Sequence, residues 1–187
     1  MPDDGTPEER LRTLYAAYYG RVLNFARRRV ADAETAQDVA AETFLVTWRR
    51  IDKVPRGHDE ELPWLYAVAR NVLANQLRGQ RRGGRLTARL GRVAPAAPTA
   101  PDHAGGVVEA LHLRQALAAL SDSDQETLRL IAWDGLDTAA AAQVVGCSAR
   151  TFAVRLHRAR QRLERELARR EEPRASGELA GLKGERA

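Results

Sequence analysis

The chain has 187 residues, 44% of them hydrophobic, with 30 Lys+Arg against 25 Asp+Glu and a formal net charge of +5. That length fits one ordinary domain or two small ones, and that apolar content excludes wholesale disorder. A single Cys excludes a disulfide framework or a multi-cysteine metal site and points to a reducing compartment, while an acidic start (Met1-Pro2-Asp3-Asp4) and the lack of a long apolar run predict neither a secretory signal nor a membrane span.

Leu11, Leu14, Tyr15, Tyr18, Val22, Phe25 and Ala26 recur at helical spacing and predict an amphipathic helix over about 7–29. Asp32 caps a second helix that runs to about Arg50 and carries Val39, Phe44, Leu45, Val46 and Trp48. Residues 52–62 hold Pro55, Gly57 and a run of charges and read as a loop. Pro63 suits the first position of a third helix through Arg78. The stretch 79–106 has six Gly and three Pro, so it reads as a linker between two small helical domains. Beyond it, Val107 to Leu120 predicts a helix, Ser123-Asp-Gln-Glu126 has capping-box spacing for the next, and Asp134-Gly135 closes that one. Asp137 caps a short alanine-rich helix, Thr138–Val145, which Gly146 ends. Ser148 caps a long helix to about Arg170. The tail 171–187, with Pro173 and three Gly, reads as mobile. No segment alternates with period two, so the fold class is all-α.

The positive charge is unevenly placed. Residues 1–78 carry 12 basic and 12 acidic side chains and are neutral, whereas 148–170 carry eight Arg against Glu164 and Glu166. All basic residues but Lys53 and Lys183 are Arg, the better fork for phosphate and guanine. A short helix, a tight turn with Gly and a longer basic helix is the sequence form of a helix-turn-helix. In the long helix Phe152, Leu156, Ala159, Leu163 and Leu167 form one apolar stripe, and Arg155, Arg158, Arg162, Arg165 and Arg169 fall on a separate face. Such a helix can lie in the DNA major groove, its first turns toward base edges and its later Arg toward phosphates. A solvated surface helix would show the same charges. Asp38 and Glu42, at i and i+4, form an acidic patch on the second helix. No nucleophile, His partner or metal motif surrounds them, and the four His (58, 103, 112 and 157) are scattered, so no enzyme, metal site or cofactor is predicted.

Two stretches of the first half, DVAAETFLVTWRR (38–50) and WLYAVARNVLANQLR (64–78), resemble regions 2.2 and 2.3–2.4 of the sigma-70 superfamily, in its small extracytoplasmic-function group. ALAAL (116–120), WDGL (133–136), VVGCS (144–148) and RLHRAR (155–160) resemble region 4 of the same group. The resemblance implies a bacterial transcription initiation factor, cytoplasmic and nucleoid-associated when active. Region 2 would span 7–78, a linker 79–106, region 4 107–170 and a disordered tail 171–187.

Its implied partners are core RNA polymerase (the β′ coiled coil and the β flap), promoter DNA as duplex and as single non-template strand, and an anti-sigma factor. It implies polymerase docking by Asp38, Ala41, Glu42 and Leu45. It implies −10 element contacts from Arg70, Asn71, Asn75 and Arg78 beside a base-capturing loop at about 52–62, with Tyr66 nearby as a stacking surface and Trp64 read first as core packing. Contacts to the −35 element fall to Arg150, Thr151, Arg155, His157, Arg158 and Arg162. Ala41 stands where family members often have Gln, Asn75 where an acid is common, and Ala153 and Val154 where Lys and Ser are frequent. A helix-turn-helix regulator acting without polymerase would explain 107–170 equally well but leaves 38–50 and 64–78 without a role.

Overall fold

The computed structural model describes the backbone over residues 5–87 and 107–181 and the side chains over 5–78 and 110–170. Seven α-helices and one 3-10 turn make up the described residues, with no strand among them. By Cα proximity α1–α3 and α6 group in one compact unit and α4, α5 and α7 in the other, taking the helices in chain order as bounded below.

Helix α1, Pro7–Arg27, opens on a full capping box. The Thr6 hydroxyl accepts from the Glu9 N–H (3.3 Å) while Glu9 Oε2 accepts from the Thr6 N–H (2.8 Å), and Pro7 needs no partner for a missing donor. Leu14, Tyr18, Val22, Phe25 and Ala26 form its buried face. Helix α2, Ala33–Arg49, starts where expected. Asp32 caps it by accepting from the Thr35 N–H at 2.7 Å, and that hydrogen bond holds the carboxyl below its ordinary range. Its buried face includes Thr43 and Thr47, polar side chains that return their hydroxyl protons to the carbonyls of Val39 (2.7 Å) and Thr43 (2.8 Å). Burial therefore leaves neither hydroxyl unsatisfied.

The third helix departs from the sequence reading at both ends. A 3-10 turn, Ile51–Lys53, is followed by a short connector, and α3 begins at His58 rather than at Pro63. Asp59, Glu60 and Glu61 then occupy its first turn, where carboxylates favour the positive end of the helix dipole. Pro63 sits inside the helix with its ring fully buried. It would leave the carbonyl one turn back, on the exposed Asp59, without an intrahelical donor, a position water can reach. The helix also runs past Arg78 to Thr87, through three Gly of the expected linker. Glycine lowers helix propensity without forbidding it. The proline-rich part of that linker, 88–106, lies outside the described residues.

α1, α2 and α3 pack on one another in all three pairings. Ala26, Ala36, Ala40 and Ala69 are fully buried, small enough to let helices approach closely, and Phe25 stacks on Tyr66 with ring centroids 4.5 Å apart.

In the other unit α4 (Val107–Ala118) and α5 (Asp122–Ala132) each pack on α7 (Ala149–Gly181). Leu117, Leu120, Leu128, Leu130, Phe152, Leu156 and Ala159 form its core, so the predicted α7 stripe faces inward. The cap of α5 is Ser121, not Ser123. Its hydroxyl oxygen accepts from the Asp124 N–H at 3.2 Å and donates to that residue's carboxylate at 2.8 Å. Ser123 instead lies in the first turn, its carbonyl taking the Thr127 hydroxyl at 2.7 Å. Gly135, at φ +68°, follows the end of α5 as expected. α7 continues beyond Arg170 and through Pro173 to Gly181, so 171–181 is helical where a mobile tail was expected. Proline's fixed φ is itself helical, and its cost falls on one hydrogen bond and one carbonyl clash. Residues 182–187 lie outside the described residues.

Candidate functional site

Three surfaces carry the residues singled out from the sequence. The first is the outward side of α2. Asp38, Ala41 and Leu45 are exposed and Glu42 is half-buried, opposite the buried line Ala36, Ala40, Thr43 and Thr47. Leu45 is 50% exposed. Glu42 lies 3.9 Å from Arg49, a long and well-solvated pair that contributes little. Trp48, three residues beyond Leu45, is 39% exposed on the same side. The sequence names Trp48 among the apolar residues of this helix without giving it a docking role. Its place in the Ala41–Leu45–Trp48 progression was the available signal. Tyr15 of α1 is also exposed, edge-on to Phe44 at 4.9 Å and stacked on Tyr19 at 4.7 Å. The surface is thus acidic at one end of α2 and apolar along the rest, a composition suited to a helical protein partner with basic side chains.

The second surface is the outward side of α3. Arg70, Asn71, Asn75 and Arg78 are all exposed, and Arg78 donates to the Asn75 side-chain oxygen. The helix brings these four together. Trp64 is half-buried on the same helix. Tyr66 is only 1% exposed and stacked on Phe25, so it is a core residue and not a surface for a nucleobase. The loop expected over 52–62 is shorter. It consists of Val54–Gly57, because Ile51–Lys53 forms a 3-10 turn and His58–Leu62 is helical.

The third surface lies beyond α6, Thr138–Val145. Gly146 takes φ +72°, and the Cys147 N–H reaches back to the Ala142 carbonyl at 3.0 Å. A left-handed residue here ends α6 sharply and lets α7 begin three residues later. Arg150, Thr151, Arg155, His157 and Arg158 are exposed along the first turns of α7, and His157 is hydrogen-bonded to Gln161 at 3.1 Å. Arg162 is different. Its Nη1 meets both carboxylate oxygens of Asp124, at 2.8 and 2.7 Å, and Asp124 is 7% exposed. This side chain ties α7 to α5, so part of its guanidinium is already engaged by a carboxylate. Farther along, Glu166 holds both Arg169 and Arg170 at 2.8 Å. The Arg170 hydrogen bond, then the nearby charges, lowers the Glu166 pKa. The positive charge offered to a polyanion is therefore concentrated in the first half of α7.

Residues 14–83 match the Sigma-70 region 2 family, and residues 111–163 match the Sigma-70 region 4 family. The RNA polymerase sigma factor YlaC of Bacillus subtilis is 30% identical over 164 residues, covering 86% of this chain and 94% of that protein. The chain belongs to the sigma-70 family, in its extracytoplasmic-function group. A second relative, the ECF sigma factor SigC of Mycobacterium tuberculosis, is 33% identical over 136 residues, covering 72% of this chain and 71% of that protein. Two solved sigma-factor structures share the fold. RpoE of Bartonella quintana, crystallised with the anti-sigma factor NepR, matches with a TM-score of 0.59 at 24% identity, covering 86% of this chain and 96% of that one. CnrH in complex with the cytosolic domain of CnrY matches at 0.56 and 22%, covering 84% and 87%.

As a sigma factor the protein binds core RNA polymerase, recognises the −10 and −35 promoter elements and promotes strand opening. The region 2 match takes in the α2 and α3 surfaces, and the region 4 match takes in α5, α6 and the first turns of α7. No helix among the described residues is long and apolar enough to cross a membrane.

Proposed function

We propose that this sigma factor divides its work among the three surfaces. The outward side of α2, with Asp38, Ala41, Glu42, Leu45 and the added Trp48, docks on the β′ coiled coil of core polymerase. Arg70, Asn71, Asn75 and Arg78 of α3 contact the −10 element, with unpaired non-template bases taken up beside the Val54–Gly57 connector. The first turns of α7 place Arg150, Thr151, Arg155, His157 and Arg158 against the −35 duplex, with region 4 held near the β flap. The domain bounds follow the same scheme: region 2 over 7–78 and region 4 over 107–170. The protein has no catalytic role of its own and works in the cytoplasm at the nucleoid. An anti-sigma factor restrains it, as NepR is bound to its relative in the solved complex.

One observation carries this reading. A helix whose buried side is complete still presents Leu45 and Trp48 beside two carboxylates. Exposed apolar side chains rimmed by charge mark a protein-binding surface. The decisive experiment combines the purified chain with core polymerase and follows promoter-dependent transcription. Glu42→Arg should abolish most transcript and weaken core binding while duplex binding by the C-terminal half stays intact. Normal pull-down of core polymerase by Glu42→Arg would remove the docking assignment. DNA binding with no polymerase association in the unaltered protein would return the regulator reading.

A further inference from the structure

The connector Val54–Gly57 has few backbone hydrogen bonds of its own. The N–H groups of Lys53 and Val54 bond to Arg50 and Ile51 on its near side, and those of Glu60 and Glu61 bond to Gly57 on its far side. Two of its carbonyls are held by α1. The guanidinium of Arg10, on the first turn of α1, donates to Val54 at 2.7 Å and Pro55 at 3.0 Å, and also to Ile51 of the preceding 3-10 turn at 3.3 Å. Two helical turns further along α1, the Tyr18 hydroxyl donates to Glu61 Oε2 at 2.8 Å and lies 3.1 Å from His58 Nδ1. Both partners belong to the first turn of α3, where the connector ends. Arg10, Leu14 and Tyr18 are spaced i, i+4, i+8, so one line of α1 grips both ends of the connector. Leu14 and Tyr18 are buried and Arg10 is half-buried.

This grip differs from ordinary core packing. Arg10 binds main-chain oxygens, so it fixes the path of the connector without engaging its side chains. Arg56 and Gly57 remain exposed and Pro55 half-buried. A segment held in one shape before it meets its ligand avoids the ordering cost on binding, and it discriminates more sharply among similar ligands. Burial and the Glu61 acceptor push the Tyr18 phenol up to about 12, so it stays a proton donor throughout the neutral range.

We propose that Arg10 and Tyr18 are positioning residues that set the selectivity of the Val54–Gly57 connector for an unpaired base of the −10 element. The proposal rests on the reading of that connector as the base-capturing segment.

The test uses the full chain assembled with core polymerase, on a promoter recovered by selection from randomised DNA with the unaltered protein. Holoenzyme binding is measured to short non-template single strands, each −10 position carrying all four bases in turn. Arg10→Ala and Arg10→Lys should each lower discrimination at one position by about tenfold, since Lys keeps the charge but lacks the planar fork whose two terminal nitrogens reach these separate carbonyls. Tyr18→Phe should lower it at the same position by a smaller factor. Affinity for core polymerase and for a −35 duplex should stay within about twofold, as expected for sites remote from the change. Arg56→Glu, on the connector itself, reports on the underlying reading. Discrimination lost in Arg56→Glu but kept in both Arg10→Lys and Tyr18→Phe overturns the proposal alone. Discrimination kept in Arg56→Glu as well overturns both. Equal losses of core affinity and base discrimination in Arg10→Lys make the residue merely structural and also overturn it. Arg10→Lys and Tyr18→Phe keep the test decisive where Arg10→Ala does not fold.

Discussion

Arg158 and Arg162 stand one turn apart on the same basic helix, and their environments differ sharply. Arg158 is exposed, while Arg162 neutralises the nearly buried carboxylate of Asp124. Replacing Arg162 with Ala should cost the C-terminal unit about 2 kcal/mol, the loss of charge-assisted hydrogen bonds at a part-buried site, as read by urea denaturation. It should leave the salt dependence of −35 duplex binding nearly unchanged. Arg158→Ala should do the reverse, with stability retained and the slope of log affinity against log salt reduced by about one. Equal slopes for the two variants would mean that Arg162 also meets phosphate. Helical periodicity assigned both residues to one face correctly. It could not say that a carboxylate 38 positions away would claim one of them, because spacing reports direction and not partner. Tyr18 gives a second residue-level expectation. A phenol raised to about 12 in the fold contributes stability that is complete below its unfolded value of 10.0 and is lost as pH climbs through 12. Thermal melts of Tyr18→Phe should therefore fall less steeply than those of the unaltered protein across that alkaline window.

The helices themselves were mostly legible, and their ends were not. α1, α2, α4 and α6 lie close to their expected spans because strong signals agree there: a capping box at Thr6, an Asp cap at residue 32, a left-handed Gly at 146. Around α5 two boxes overlap, Ser121 with Asp124 and Ser123 with Glu126, and local pattern alone does not choose between them. The chain uses the earlier one, since Leu120 and Asp124 are then both buried. Ser121→Ala should accordingly cost about 1 kcal/mol, as for a lost N-cap. Ser123→Ala should stay within about 0.5 kcal/mol. Denaturation midpoints of the two variants distinguish these outcomes, and equal losses would count against the assignment. Pro63 and Pro173 misled for a related reason. Proline was read as punctuation, whereas in α3 three acidic residues ahead of it stabilise an earlier start.

Across the molecule, two compact helical units are joined in one chain, and the residues proposed to meet polymerase and DNA lie outside their cores. Apolar periodicity predicted those cores well, because burial is the term that shapes such spacing. It does not sort the large aromatics: Tyr66, expected as a stacking surface for DNA, lies inside, while Trp48, one of the apolar residues of α2, lies at the surface. An aromatic side chain serves either end equally, so identity alone does not sort them. Trp48→Ala should lower affinity for core polymerase about tenfold, the cost of a modest interface hot spot, with little change in melting temperature. A large fall in melting temperature with core affinity intact would return Trp48 to the fold. The turn at Gly146 has a stereochemical consequence. A Cβ built there meets nothing within 4 Å, yet φ is +72°. The site therefore excludes side chains by handedness and not by volume. A D-alanine installed by chemical ligation would enter without strain and stiffen the unfolded chain, while its mirror image, one methyl group differently placed, would strain the same turn.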